Sequence, residues 1–104
     1  MVLITGGGRG IGRETAIAFS AQGAYIILID VNEEGMEETG RLIFQAGGSV
    51  EKHRVDVTSR RDMKALSAKV KHRHGALDVL INNAGIGSAG TFLETTLDTW
   101  DKSY

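Results

Sequence analysis

The feature that most constrains the fold is a glycine-rich segment between an apolar run and a helix-like stretch. Thr5–Gly12 reads TGGGRGIG; it follows the apolar run Val2–Ile4, and helical periodicity extends from Ile11 to about Gln22. At a helix N-terminus, backbone N–H groups point at a bound anion and the helix dipole favours its negative charge. The glycines allow a tight turn, close approach of the backbone to phosphates, and contact between helix and sheet. The segment therefore predicts a cradle for a pyrophosphate.

An acidic residue further along the chain gives this prediction more weight. A glycine-rich turn alone is weakly specific, because such turns are common. Here Asp30 ends the next apolar run, 18 positions after Gly12, which is close to the spacing at which a carboxylate contacts the ribose of a dinucleotide. A P-loop phosphotransfer site is excluded, because no Gly-Lys-Ser or Gly-Lys-Thr follows the turn.

Strand-like and helix-like segments alternate along the chain. The first, second and fourth apolar runs are continuous and rich in Val, Ile and Leu, as in strands buried on both faces of a parallel sheet. The predicted strands are Val2–Ile4, Tyr25–Ile29, Val50–Val57 and Leu77–Ile81. Between them, residues at helical spacing define three core-facing stripes. They are Gly12, Ala16 and Phe19; Met36, Ile43 and Phe44; and Met63, Leu66 and Val70.

Residues at the ends of the helical segments mark their boundaries. Asn32, which precedes two glutamates, and Ser59, which precedes Arg60-Arg61-Asp62, are predicted N-caps. A glycine follows each of the three helical segments, where a left-handed residue is favoured. These glycines are Gly23, Gly47 and Gly75.

This βαβαβαβ pattern predicts an α/β fold: a Rossmann-like doubly wound parallel sheet with strand order 3-2-1-4 and right-handed crossovers. In such sheets, ligands bind beyond the carboxyl ends of the strands, at the switch point between strands one and four. The segments at or just past those ends are Thr5–Gly12, Asp30, Asp56 and Asn82–Gly85. We therefore expect them to meet in one ligand site. Residues 1–104 are expected to be the N-terminal part of this one domain, ending within the helix after strand four.

Three motifs together resemble the short-chain dehydrogenase/reductase family. They are Thr5-Gly6-x-x-x-Gly10-Ile11-Gly12, then Asp56-Val57, then Asn82-Asn83-Ala84-Gly85. They occur in the family's order with compatible spacing, and the resemblance covers the whole chain. It implies an oxidoreductase that transfers a hydride between NAD(P) and an alcohol or carbonyl substrate.

The resemblance also implies a role for each motif residue. Those around the cofactor phosphates would be Gly6, Arg9, Gly10, Ile11 and Gly12. Asp30 would bind the adenosine ribose, and Asp56 and Val57 would contact the adenine. The wall beside the nicotinamide ribose would be formed by Asn83, Ala84 and Gly85, while Asn82 would tie strand four to its neighbours.

The catalytic set of that family is not found in this chain. It consists of a Ser and a Tyr-x-x-x-Lys pair, supported by an Asn in the helix after strand four. Tyr25 has Ile29 at the lysine offset, and Tyr104 is the last residue. We assign no catalytic residue here, and expect residues 1–104 to supply the cofactor-binding half without turnover of their own.

Charge around the ribose site bears on the choice of cofactor. The Asp30 carboxylate can accept hydrogen bonds from both ribose hydroxyls of NAD. It would repel a 2′-phosphate by about 4 kcal/mol per unit charge pair at roughly 4 Å, with an effective dielectric constant near 20. Arg9 favours the opposite choice, because family members with a base there often use NADP. NAD is predicted as the preferred cofactor, with NADP as the alternative.

Several of these residues have a plain structural alternative. Asp30 can simply start the next turn, and Asp56 can cap the strand end near Thr58. Arg9 can be a solvated surface residue. Asn82 can serve structure alone, because a buried amide at a strand end needs hydrogen-bond partners.

The composition of the chain argues against several classes of binding partner. A formal net charge of −1 argues against a general electrostatic grip on nucleic acid or on an anionic membrane. There is no cysteine, and His72 and His74 are too close in sequence to share a metal across one helix face. We therefore predict no metal site. With no leader before the first strand and no run that could span a bilayer, a cytoplasmic location is expected.

Two classes of function remain open at this point. The first is the oxidoreductase, with a small-molecule alcohol or ketone as substrate and a homo-oligomer as the full-length assembly. The second is a dinucleotide-binding or interaction module without catalysis.

Overall fold

The computed structural model describes residues 1–8, 10–75 and 77–83. Strands and helices alternate within these ranges. They are β1 (Val2–Thr5), α1 (Gly10–Ala21), β2 (Tyr25–Asp30), α2 (Glu33–Gln45), β3 (Ser49–Arg54), α3 (Arg60–His74) and β4 (Val79–Asn82). The four strands form one parallel sheet in the order β3-β2-β1-β4. This confirms the predicted α/β class and strand order.

Two strands are shorter than predicted, because their pairing with the neighbouring strand does not extend over the whole predicted range. Arg54 is the last residue of β3 with a partner, Asp30 of β2, so Val55–Val57 continue past the sheet edge. Likewise, β4 begins at Val79, opposite Val2 of β1. The consequence for the site is that Asp56 and Val57 lie in the connection after β3 instead of in the strand.

The core lies on both faces of the two central strands. Val2–Thr5 is buried throughout, and Ile26–Ile29 is fully buried. On one face, apolar side chains of α1 and α2 pack on the sheet: Ala16, Met36 and Ile43 against Val2, Ile4, Ile26 and Leu28. On the other face, α3 supplies Met63, Leu66 and Val70 against Leu3, Ile27 and Ile29. The continuous apolar runs predicted this burial correctly for β1 and β2. The same prediction was wrong for β4, which lies at the edge of the sheet: Val79 is exposed, and Leu80 and Ile81 are only half-buried.

The predicted helix boundaries are confirmed. The Asn32 side chain accepts a hydrogen bond from the Gly35 amide at 3.0 Å, and the Ser59 hydroxyl oxygen accepts one from the Asp62 amide at 3.2 Å. The glycines after the helices all have positive φ: Gly23 at 90°, Gly47 at 87° and Gly75 at 85°. Among the helices of the described residues, none combines the length and apolar character needed to cross a bilayer.

The assignment of Phe44 to the core was wrong. Its side chain is 77% exposed. The buried stripe of α2 consists of Met36, Thr39, Gly40 and Ile43, and Phe44 lies about 90° around the helix from the centre of that stripe. The apolar spacing alone missed this, because Thr39 and Gly40 complete the stripe and do not count as large apolar residues.

Candidate functional site

The predicted site residues lie at the carboxyl edge of the sheet. Thr5, the last residue of β1, pairs with Ile29 of β2 and with Asn82 of β4. The glycine turn follows directly, and its Gly6 amide donates a hydrogen bond to the Ile29 carbonyl at 2.7 Å. The turn is therefore attached to the end of β2 as well as to β1, which brings it next to Asp30.

The glycine turn ends where α1 begins, at Gly10. Gly10 has φ of 58°, a left-handed conformation that costs a residue with a side chain roughly 1–2 kcal/mol. Gly12 is needed for another reason: a methyl group there would overlap the Gly6 carbonyl. The first-turn amides of Gly10, Ile11 and Gly12 have no acceptor one turn earlier in the helix. Together with the helix dipole, these amides can bind a diphosphate.

Asp30 uses both carboxylate oxygens within the site. Its Oδ2 accepts a hydrogen bond from the Gly8 amide at 2.9 Å, and its Oδ1 accepts one from the Asn32 amide at 3.1 Å. The second contact is the turn-starting role that was the structural alternative. The first contact joins the carboxylate to the glycine turn. Each oxygen keeps lone-pair capacity for a further donor, such as a ribose hydroxyl.

A cavity of about 210 Å³ opens beside Asp30 at this edge. It is lined by Gly6, Asp30, Val31, Val55, Asp56 and Val57. Four of these residues belong to the predicted cofactor set. The lining combines three valines, which offer apolar contact, with two aspartates, which offer hydrogen-bond acceptors. Such a lining suits an adenosine group.

A second, more open depression of about 510 Å³ lies between β3 and α3. Its lining includes Lys52, Arg54, Asp62 and Lys69, and none of the predicted site residues that fall within the described ranges. Its greater size does not make it the better candidate, because the glycine turn, Asp30 and Asp56 all lie elsewhere.

Asp56 caps the connection after β3, as its structural alternative proposed. Its Oδ1 accepts hydrogen bonds from the Thr58 hydroxyl at 2.6 Å and from the Thr58 amide at 2.9 Å. These bonds, the hydroxyl first, lower the pKa of the Asp56 carboxyl. The carboxylate is therefore held as an acceptor in the lining of the cavity, to which Val57 also contributes.

Asn82 connects the ends of β4 and β1. The Thr5 hydroxyl donates a hydrogen bond to Asn82 Oδ1 at 2.9 Å, which agrees with the strand-tying role implied for this residue. Asn83 follows the strand and is exposed. Three members of the predicted set, Arg9, Ala84 and Gly85, lie outside the described residues.

The sequence analysis did not identify two residues whose side chains donate hydrogen bonds to carbonyl groups of the glycine turn. Arg13 donates to the Gly8 carbonyl from Nη2 at 2.7 Å and to the Thr39 hydroxyl oxygen from Nε at 2.9 Å. Thr39 in turn donates to the Gly7 carbonyl at 2.8 Å. One signal was available: Thr39 falls on the core-facing stripe between Met36 and Ile43, and a buried hydroxyl needs a partner.

A glycine turn at the first strand of a sheet ordered 3-2-1-4 is the arrangement of Rossmann-like dinucleotide-binding proteins. The family model of the short chain dehydrogenases matches residues 1–104. The chain belongs to this family, as its motifs predicted.

Individual relatives match most or all of this chain. Probable oxidoreductase EphD of Mycobacterium tuberculosis is 40% identical over 102 residues, which is 98% of this chain and 17% of that protein. Epidermal retinol dehydrogenase 2 of Mus musculus is 39% identical over 105 residues, covering 100% of this chain and 34% of that protein. A metagenomic short-chain oxidoreductase crystallised with NADP matches with a TM-score of 0.79 and 36% identity, over 84% of this chain and 40% of its own. The chain thus spans less than half the length of each.

Proposed function

We propose that residues 1–104 form the dinucleotide-binding part of an NAD(P)-dependent oxidoreductase that acts on a small alcohol or ketone. The observation that carries this proposal is the hydrogen bond from the Gly8 amide to Asp30, which places the glycine turn and the carboxylate at one edge. Family membership and the NADP-bound relative support the choice of ligand.

The residues present fit such a ligand. The first-turn amides of Gly10–Gly12 would hold the diphosphate, with no side chain between backbone and anion at Gly10 or Gly12. Asp30 would bind the adenosine ribose, and the cavity walls formed by Val55–Val57 would take the adenine. Arg9, Asn83, Ala84 and Gly85 keep the cofactor roles that the family resemblance implies. When bound, the nicotinamide ring supplies the hydride acceptor or donor.

The chain's own contribution is binding and orientation. The acid–base group that moves the proton of the alcohol or carbonyl belongs to the family's Tyr-x-x-x-Lys pair, which these residues do not contain. We accordingly propose that residues 1–104 alone bind cofactor without turnover, and that the full-length protein acts as a homo-oligomer.

NAD is the cofactor we propose as preferred, because Asp30 lies against the glycine turn where a 2′-phosphate would meet its negative charge. Titration of the folded protein with NAD and with NADP, followed by calorimetry, tests both parts of the proposal. Tighter binding of NAD supports it. Tighter binding of NADP would reverse the preference, and binding of neither would remove the function.

A further inference from the structure

The peptide bond between Gly7 and Gly8 is held at both ends by side chains outside the turn. Its carbonyl oxygen accepts the Thr39 hydroxyl hydrogen at an oxygen–oxygen distance of 2.8 Å. Its N–H, which belongs to Gly8, donates to Asp30 Oδ2 at 2.9 Å. Because the peptide is planar, fixing its carbonyl and its N–H fixes the orientation of the whole unit.

The next carbonyl in the turn is held by Arg13. The guanidinium Nη2 donates to the Gly8 carbonyl at 2.7 Å and to the Gly35 carbonyl of α2 at 3.2 Å, while Nε donates to Thr39. Arg13 is half-buried and Thr39 is fully buried. The planar guanidinium therefore bridges three acceptors that belong to the turn and to α2, which a lysine could not do.

α2 approaches the turn closely enough to make this bridge possible. A methyl group at Gly35 would overlap the Gly8 carbonyl oxygen, so backbone meets backbone at this point. Arg13 and Thr39 thus lie where the glycine turn meets α2, and they bond to the carbonyl groups of the turn.

Glycine has more backbone freedom to lose than any other residue. A turn with three consecutive glycines, Gly6–Gly8, would lose that freedom on binding unless the fold had already ordered it, and ordering on binding lowers affinity. We propose that Arg13 and Thr39 are positioning residues that hold the turn in its diphosphate-binding conformation before the cofactor arrives. This inference rests on the proposed dinucleotide-binding function.

The first arm of the test needs no ligand. Amide hydrogen exchange of Gly8 is measured by NMR in the wild-type protein and in the Arg13→Met and Thr39→Val variants, with Leu28 at the centre of β2 as the internal reference. We expect exchange at Gly8 to accelerate about tenfold in each variant, with Leu28 unchanged. Unchanged Gly8 exchange in both variants would overturn the proposal.

The second arm compares a ligand with a diphosphate to one without. NAD affinity should fall about tenfold in Arg13→Met, while adenosine affinity stays within about twofold. Thr39→Val is nearly isosteric and should act in the same direction. Arg13→Lys keeps the positive charge but lacks the planar set of N–H donors, so it should recover only part of the NAD affinity that Arg13→Met loses. Full recovery by lysine would mean that charge alone matters, and equal losses for NAD and adenosine would mean a general structural role; either overturns the proposal.

Arg41→Met is the matched control, because Arg41 lies on the exposed side of α2, where it bonds to Glu38 and Gln45 of the same helix. It should leave both affinities unchanged. If Arg13→Met does not fold, Thr39→Val and Arg13→Lys still decide the outcome. If the folded wild-type protein binds neither NAD nor NADP, the proposed function fails, while the exchange arm still decides whether Arg13 and Thr39 hold the turn.

Discussion

Gly8 lies so close to Asp30 that a Cβ atom at position 8 would stand 2.7 Å from the carboxylate Oδ2. That oxygen already accepts the Gly8 amide hydrogen bond. The placement of the carboxylate therefore depends on the absence of a side chain at position 8.

Gly8→Ala should weaken discrimination between the two cofactors. The added methyl group displaces the Asp30 carboxylate, so NAD loses a ribose acceptor and NADP meets less repulsion. We expect the ratio of the two dissociation constants to move toward one by about tenfold, measured by calorimetric titration. A ratio that stays at the wild-type value in a folded variant would contradict the coupling.

Replacement of Asp30 itself should act more strongly on NAD than on NADP. Asp30→Ala removes the ribose acceptor along with the partner of the Gly8 amide, so NAD affinity should fall by about 2 kcal/mol. NADP affinity should fall less, because the repulsion of its 2′-phosphate disappears at the same time. Equal losses for the two cofactors would count against a ribose role.

Asp30→Asn refines this experiment, because the amide keeps one oxygen acceptor for Gly8 and removes the charge. It should raise NADP affinity relative to wild type. Asp62→Ala, at an exposed position in the first turn of α3, is the control and should leave both dissociation constants unchanged.

Gly10→Val should impair both stability and binding. A valine at φ of 58° is strained, and we expect the free energy of unfolding to fall by about 2 kcal/mol. Apart from the adjacent residues and the backbone of α1, none of the described residues lies within 4 Å of a Cβ at this position, so the branched side chain would project into open space next to the first-turn amides, and NAD binding should be lost. Urea denaturation and NAD titration measure the two effects. Ala18→Val, on the exposed side of α1, measures how much a branched side chain in a helix lowers the free energy of unfolding by itself. Undiminished NAD affinity in folded Gly10→Val would refute diphosphate binding by the first-turn amides.

Acid should destabilise the protein through Glu51. This carboxylate is hydrogen-bonded to the Tyr25 hydroxyl at 2.9 Å, to His74 Nε2 at 2.6 Å and to His53 Nε2 at 2.5 Å. Burial raises the pKa of Glu51, but the bonds from His53, His74 and Tyr25 and the charge of His53 outweigh burial and bring the pKa to about 2. Because this pKa is lower than in the unfolded chain, the stabilisation is complete above pH of about 4.5 and is lost as the pH falls toward about 2.

Glu51→Gln measures this contribution. At pH 7 the variant should be less stable than wild type by about 2 kcal/mol, and the difference should shrink between pH of about 4.5 and 2. Urea denaturation at a series of pH values provides the comparison, with Glu34→Gln, at an exposed position on α2, as the control. A difference that does not change across this range would show that the carboxylate charge is not what stabilises the contact.

Local sequence patterns were enough to predict the framework. Continuous apolar runs predicted β1 and β2 because these strands are buried on both faces. Asn32 and Ser59 were predictable as caps because their hydrogen bonds reach only three residues along the chain. The strand order followed from the motif at the first turn and from the rules of parallel connections.

Contacts between distant elements were not predictable in the same way. Arg13 and Thr39 are 26 positions apart, and neither belongs to a motif; their pairing depends on how α1 and α2 pack on the sheet. The burial of Thr39 and the exposure of Phe44 have the same origin, since the exact rotation of α2 is set by its close approach to the turn at Gly35. A helical period defines a stripe, but its centre depends on tertiary contacts.

The peptide unit between Gly7 and Gly8 couples recognition of the sugar to the geometry of the turn, because its N–H bonds to the same Asp30 carboxylate that would bind the ribose. Any residue placed at position 30 to admit a phosphorylated sugar must also replace the acceptor that the Gly8 amide now has, or leave a main-chain donor unsatisfied. Redesign of cofactor preference in this chain therefore has to keep a hydrogen-bond acceptor for the Gly8 amide at position 30, as an asparagine would, or supply one from another residue.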